Sequence, residues 1–206
     1  MTSTSTRRWC ITPVLLAVAA LTACGQNADE TAHGPDLTET SPQVEWKPGP
    51  AGLQTPTAAA GPHETAPVPH DFDDNPHGAV LAAIVGQVWM AGADDDLWPE
   101  VSRTLLEPGK GRDQWAQARS LMSVDGTVDN QAEFTGFRFG DYSDEKATVV
   151  LATHWPDGKD MAYPVQLSHS TGEWRVVLPE QGKEPDMEPL KNADDFIALE
   201  ETADEK

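Results

Sequence analysis

Apolar and polar positions alternate through the second half of the chain. Over residues 146–155, Ala147, Val149, Leu151 and Thr153 fall on one face, and Lys146, Thr148, Val150 and Ala152 on the other. A period of two predicts a strand. Pro156-Asp157-Gly158-Lys159 interrupts it with an Asp-Gly turn signal. Met161, Tyr163, Val165 and Leu167 then alternate again, Ser170-Thr171-Gly172 turns the chain, and Trp174, Val176 and Leu178 alternate a third time before Pro179. Residues 134–142, rich in aromatics, form a strand ahead of these. Four strands joined by short turns predict an antiparallel meander. One face is more apolar than the other, so another layer must cover it.

Upstream the spacing lengthens to that of helices. Val80, Leu81, Ile84, Val85 and Val88 make a stripe at i, i+1, i+4, i+5 and i+8, which predicts a helix over 76–91. Asn75-Pro76 suits its N-cap and first position, and Gly92 its C-terminal end. Leu97, Val101 and Leu105 predict a second helix over 97–106, and Trp115, Ala118, Arg119 and Met122 a third over 113–122. Asp94-Asp95-Asp96 stands where a helix N-terminus favours negative charge. Helices first and an antiparallel sheet second is an α+β plan for residues 71–182.

The flanks read differently. Residues 1–23 carry Arg7-Arg8 and then the apolar run 11–21, which is shorter than the roughly 20 residues of a membrane span and suits a signal peptide. The arginine pair leaves both general and twin-arginine export open, and Cys10 lies in the part a peptidase would remove. Leu21-Thr22-Ala23-Cys24 resembles the lipobox of bacterial lipoproteins. That resemblance implies a diacylglycerol thioether on Cys24 and a location on the extracytoplasmic face of the cell membrane. Residues 24–70 hold eight prolines, five glycines and one aromatic, Trp46, with no sustained period. Such a stretch buries too little apolar surface to offset its conformational entropy, so a disordered tether is expected. Residues 183–206 read as an acidic tail with one apolar island, Phe196-Ile197-Ala198-Leu199, suited to docking back on the domain or to a partner.

Charge narrows the function. With Lys+Arg at 14 and Asp+Glu at 34 the formal net charge is −20, and no acidic residue precedes Asp29. An acidic body repels nucleic acid at long range, so no nucleic-acid partner is expected. The two cysteines are Cys10 and Cys24, which excludes a disulfide inside the folded domain. At His70–His77, the Asp71, Asp73, Asn75 spacing imitates the start of a calcium loop. Pro76 then replaces the turn glycine and Ala82 the bidentate glutamate, so no metal is expected. Pro108-Gly109-Lys110-Gly111 lacks the pattern of a phosphate loop. Tyr163 and His169 share the parity of the apolar face, but no inward aspartate accompanies them. No catalytic residue and no cofactor is expected.

The order of helices followed by a meander, closing on a Gly-Glu-Trp-Arg-Val-Val-Leu strand, resembles the nuclear-transport-factor-2-like superfamily of cystatin-like α+β cones. More narrowly it is similar to actinobacterial lipoproteins of conjugative elements. The matching residues are Gly78-Ala79, Pro108-Gly109-Lys110-Gly111-Arg112-Asp113-Gln114-Trp115 and Trp174-Arg175-Val176-Val177-Leu178-Pro179. The resemblance covers residues 75–179. It implies helices packed on a curled sheet, and a non-enzymatic binding or assembly module with protein partners, accessory to a conjugative, type IV-like secretion apparatus. The cone relatives also include isomerases and cyclases, which work with a base and an acid inside the sheet's cavity. Tyr163 and His169 are the residues that such an alternative would use.

Overall fold

The computed structural model describes residues 41–202, all within one compact unit. The signal segment and Cys24 lie outside the described residues.

The long helix α1, Pro76–Gly92, organises the domain. Asn75 caps it, its Oδ1 accepting the Gly78 N–H at 2.9 Å, and Pro76 takes the first turn, where a missing N–H costs nothing. The apolar stripe was expected to bury one face. Instead almost the whole helix is buried, Ala79, Leu81, Ala82 and Ala83 as completely as Ile84 and Val85. A helix that is apolar all round must be covered all round.

One cover is the sheet. It contains β3, Glu133–Tyr142, β4, Lys146–His154, β5, Asp160–Ser168, and β6, Arg175–Val177. Each pairs antiparallel with the next in sequence. The register sets Ala147, Val149 and Leu151 opposite Leu167, Val165 and Tyr163, so the face expected to be apolar is the one that meets α1. At Gly86 the contact is so close that a Cβ would lie 2.5 Å from Val176 Cγ2.

The other cover comes from a segment read as tether. β1, Glu45–Pro48, and β2, Gln54–Thr57, form a hairpin that packs on α1. Val44, Ala60, Val68 and Phe72 are buried in the same core. The expectation of disorder through residue 70 is therefore corrected for residues 41–70. Prolines and glycines hid the strands, and the second face of α1 supplies the apolar surface that the segment lacks by itself.

Of the two uses left open for the apolar island of the acidic tail, docking back on the domain is the one found. β7, Glu188–Pro189, pairs with β5 at one edge, and β8, Ile197–Ala198, pairs with β3 at the other. Between them the chain crosses the outer face of the sheet. There Val150 and Ala162 share a cavity with Leu190 and Phe196, and the Arg138 guanidinium stands 5.4 Å above the Phe196 ring. This strap buries Val150 and Ala152, which point away from α1. Its end then closes on the start of the hairpin: Val44 N–H donates to Glu200 O and Thr202 N–H to Val44 O, both at 2.8 Å.

Two short helices complete the α+β fold. α2, Trp98–Thr104, begins and ends inside its expected range, and α3, Lys110–Arg119, starts three residues early. The Pro108–Gly111 break is thus the entry to α3 rather than a separate loop. Among the described residues no helix is long and apolar enough to cross a membrane.

Candidate functional site

The polar groups singled out in the sequence are held by local structure. In the His70–His77 stretch, Asp73 is engaged by His63 Nε2 at 2.8 Å and by Asn75 Nδ2 at 3.3 Å, while His70 Nδ1 lies 2.9 Å from Val68 O. Asn75 spends its oxygen on the helix cap. Among the described residues no three histidine, cysteine, aspartate or glutamate side chains gather as a metal cluster. Asp94 accepts the N–H groups of Asp96 and Leu97 in the turn ahead of α2, at 3.0 and 2.9 Å, while Leu97, the N-cap of α2, makes no side-chain cap bond.

Asp95 does something the sequence did not reveal. It anchors Arg119, which is 4 % exposed at the end of α3. Arg119 Nη1 donates to Asp95 Oδ1 at 3.0 Å and to Met122 O at 2.9 Å, and Nη2 donates to Ala93 O at 2.8 Å. The Ser123 hydroxyl, the Val124 N–H and Arg119 together hold the Asp95 carboxyl below the usual range. A buried guanidinium is tolerated only when its donors are satisfied this way. The clamp ties α3 to the end of α1 and is architectural.

Tyr163 and His169 are not brought together. Tyr163 faces Leu151 from mid-β5, half-buried against the core, and burial pushes its hydroxyl pKa up. His169 follows the end of β5, six positions on, and an extended chain puts roughly 20 Å between them. There it joins an aromatic group: its ring lies 4.9 Å from Trp174, and Trp174 lies 5.8 Å from Tyr142. Asp74 Oδ1 is 3.5 Å from His169 Nδ1. Burial first, then the charges of Asp74 and Asp144, raises the Tyr142 hydroxyl to about 12. A phenol held that high is a poor proton donor at neutral pH. Trp174 is 2 % exposed and its indole N–H meets no acceptor among the described residues, so the group reads as core packing.

An aromatic-walled concave surface lies elsewhere. A cleft of about 430 Å³ opens where the β1–β2 hairpin, α1 and the start of β3 meet. Trp46 and Phe134 stand almost parallel in its wall, ring centroids 6.5 Å apart and planes 8° from parallel. Both rings are half-buried. Leu53 and Val88 add apolar lining, and Glu133 and Glu201 bring two carboxylates. Each element contributes through its register: Trp46 is held by pairing with Pro56, and Glu133 and Phe134 by pairing with His154 and Thr153. Glu201 comes from the strap, beside Val44. The sequence reading missed this site because two of its walls come from the segments taken as tether and tail. The signal that could have found it is the Val44, Trp46 alternation, whose Trp46 pairs with Pro56 across the hairpin.

A family model described as a domain of unknown function, DUF8175, matches residues 16–198. The matched span takes in the hairpin and the strap as far as Ala198. No curated protein and no solved structure matches the chain.

Proposed function

We propose that this chain, which belongs to the DUF8175 family of domains of unknown function, is a lipid-anchored extracytoplasmic protein whose domain serves as a binding and assembly module. The observation that carries the binding part is the aromatic-walled cleft, which keeps the half-exposed rings of Trp46 and Phe134 at a concave surface. Clefts of this size with apolar walls and few polar groups are the usual form of a ligand site. The separation of Tyr163 from His169 weighs against the enzyme alternative. The anchor part rests on the basic head, the apolar run and the Leu21-Thr22-Ala23-Cys24 box. The complex we propose is a cell-envelope assembly of the conjugative, type IV-like kind, on the resemblance carried by residues 75–179. The same reading groups the domain with the nuclear-transport-factor-2-like cones. What supports it is the run of three helices, α1 to α3, followed by β3 to β6 paired antiparallel in sequence, with the β1–β2 hairpin ahead of them.

The anchor is tested by metabolic labelling with a fatty-acid analogue and by membrane fractionation. Wild type should label and sediment with membranes, and Cys24→Ser should lose the label and leave the membrane fraction or stay unprocessed. An unlabelled wild type in the soluble fraction would sink the proposal.

A further inference from the structure

We infer that the Trp46–Phe134 cleft binds an organic cation borne on an apolar shoulder. The inference rests on reading the domain as a binding module and is independent of the lipid anchor.

Three properties of the cleft select this ligand chemistry. Its walls are aromatic and aliphatic: Trp46 and Phe134 line it with their rings nearly parallel, and Leu53 and Val88 lie beside them. Its charged groups are two carboxylates, Glu133 and Glu201, and neither forms an ion pair with a lysine or arginine among the described residues. The basic group nearest Glu133 in register is His154, whose Nδ1 lies 2.7 Å from Asp160 Oδ1 and whose pKa is raised first by that bond and in smaller part by the charge of Glu133. The surrounding chain is strongly acidic, with a net charge of −20.

These properties rule between ligand classes. An anion would meet two carboxylates and the field of an acidic body. A neutral apolar molecule would fit the walls but leave the two exposed carboxylates without a role. A small hydrated metal ion would use the carboxylates and leave the rings without a role. An organic cation uses both: its charge lies over the negative ring faces and against the carboxylates, and its carbon shoulder covers Leu53 and Val88.

That chemistry has two sources, a free quaternary ammonium or the side chain of a basic segment in a partner protein. Isothermal titration of the full-length protein in detergent separates them. The probes are benzyltrimethylammonium, the capped tripeptide Ala-Arg-Ala, and the controls benzyl alcohol and benzoate. Saturable binding of a cationic probe is expected, with benzoate and benzyl alcohol much weaker. The pair of substitutions Glu133→Gln and Glu201→Gln keeps the shape and removes the charge, and should weaken cation binding about tenfold or more. Trp46→Leu keeps apolar volume and should also weaken it; melts of both variants establish that they fold. Tighter binding of the tripeptide assigns the site to a partner's basic segment, and tighter binding of benzyltrimethylammonium to a small cation. The inference is overturned if neither cation saturates the protein, or if the doubly neutralised variant binds as tightly as wild type. A negative titration from a protein that still labels with fatty acid and sediments with membranes would sink this inference and leave the anchor standing.

Discussion

Trp174 shows how far a single residue could be read. Its alternation with Val176 placed it on the covered face, and it is buried there, against His169 and Tyr142. Truncating a buried aromatic costs about 3–5 kcal/mol, a large share of the 5–15 kcal/mol that holds a typical domain. Trp174→Ala should therefore unfold much of the population. Trp174→Phe should cost less, because the indole N–H has no acceptor among the described residues to lose. Tyr163→Phe should change stability by about 1 kcal/mol or less. Parallel thermal melts decide it, and a wild-type-like melt for Trp174→Ala would mean that the strand register is wrong. Arg119 marks the opposite limit. Nothing in a helical pattern announces that one arginine turns inward, because its partners, Asp95, Ala93 O and Met122 O, are gathered only by the fold.

Among elements, β4 and β5 were legible because their side chains obey one period along their whole length, and sequential pairing follows from short turns. α1 was legible as a helix but not as a central one. Its stripe named the sheet-facing residues, while Ala79, Ala82 and Ala83, small and mildly apolar, gave little sign of a second buried face. That second face is why a proline-rich segment folds onto it. The packing leaves no room at Gly86, where a new Cβ would meet the side chain of Val176, itself buried. Helix propensity alone would make Gly86→Ala stabilising by about 1 kcal/mol. Overpacking a tight core typically costs about 1–3 kcal/mol. The net expectation is a lower denaturant midpoint for Gly86→Ala. A raised midpoint would show that α1 and β6 have slack between them.

At the scale of the molecule, the domain is larger than its periodic part. Composition described residues 41–70 and 183–202 fairly, as proline-punctuated and acidic, but composition reports what a segment can bury alone, and these bury surface against the rest. The cleft is the consequence: Trp46 comes from one flank and Glu201 from the other, and the main-chain bonds of Val44 to Glu200 and Thr202 fasten the two. A binding module built this way depends on both flanks being ordered. Hydrogen exchange on the full-length protein measures that directly, amide by amide. The account predicts that Val44, Leu199 and Thr202, whose N–H groups donate to Glu200 O, Thr135 O and Val44 O, exchange far more slowly than free peptide. Exchange of all three at free-peptide rates, with β4 still protected, would contradict it and return the two segments to tether and tail.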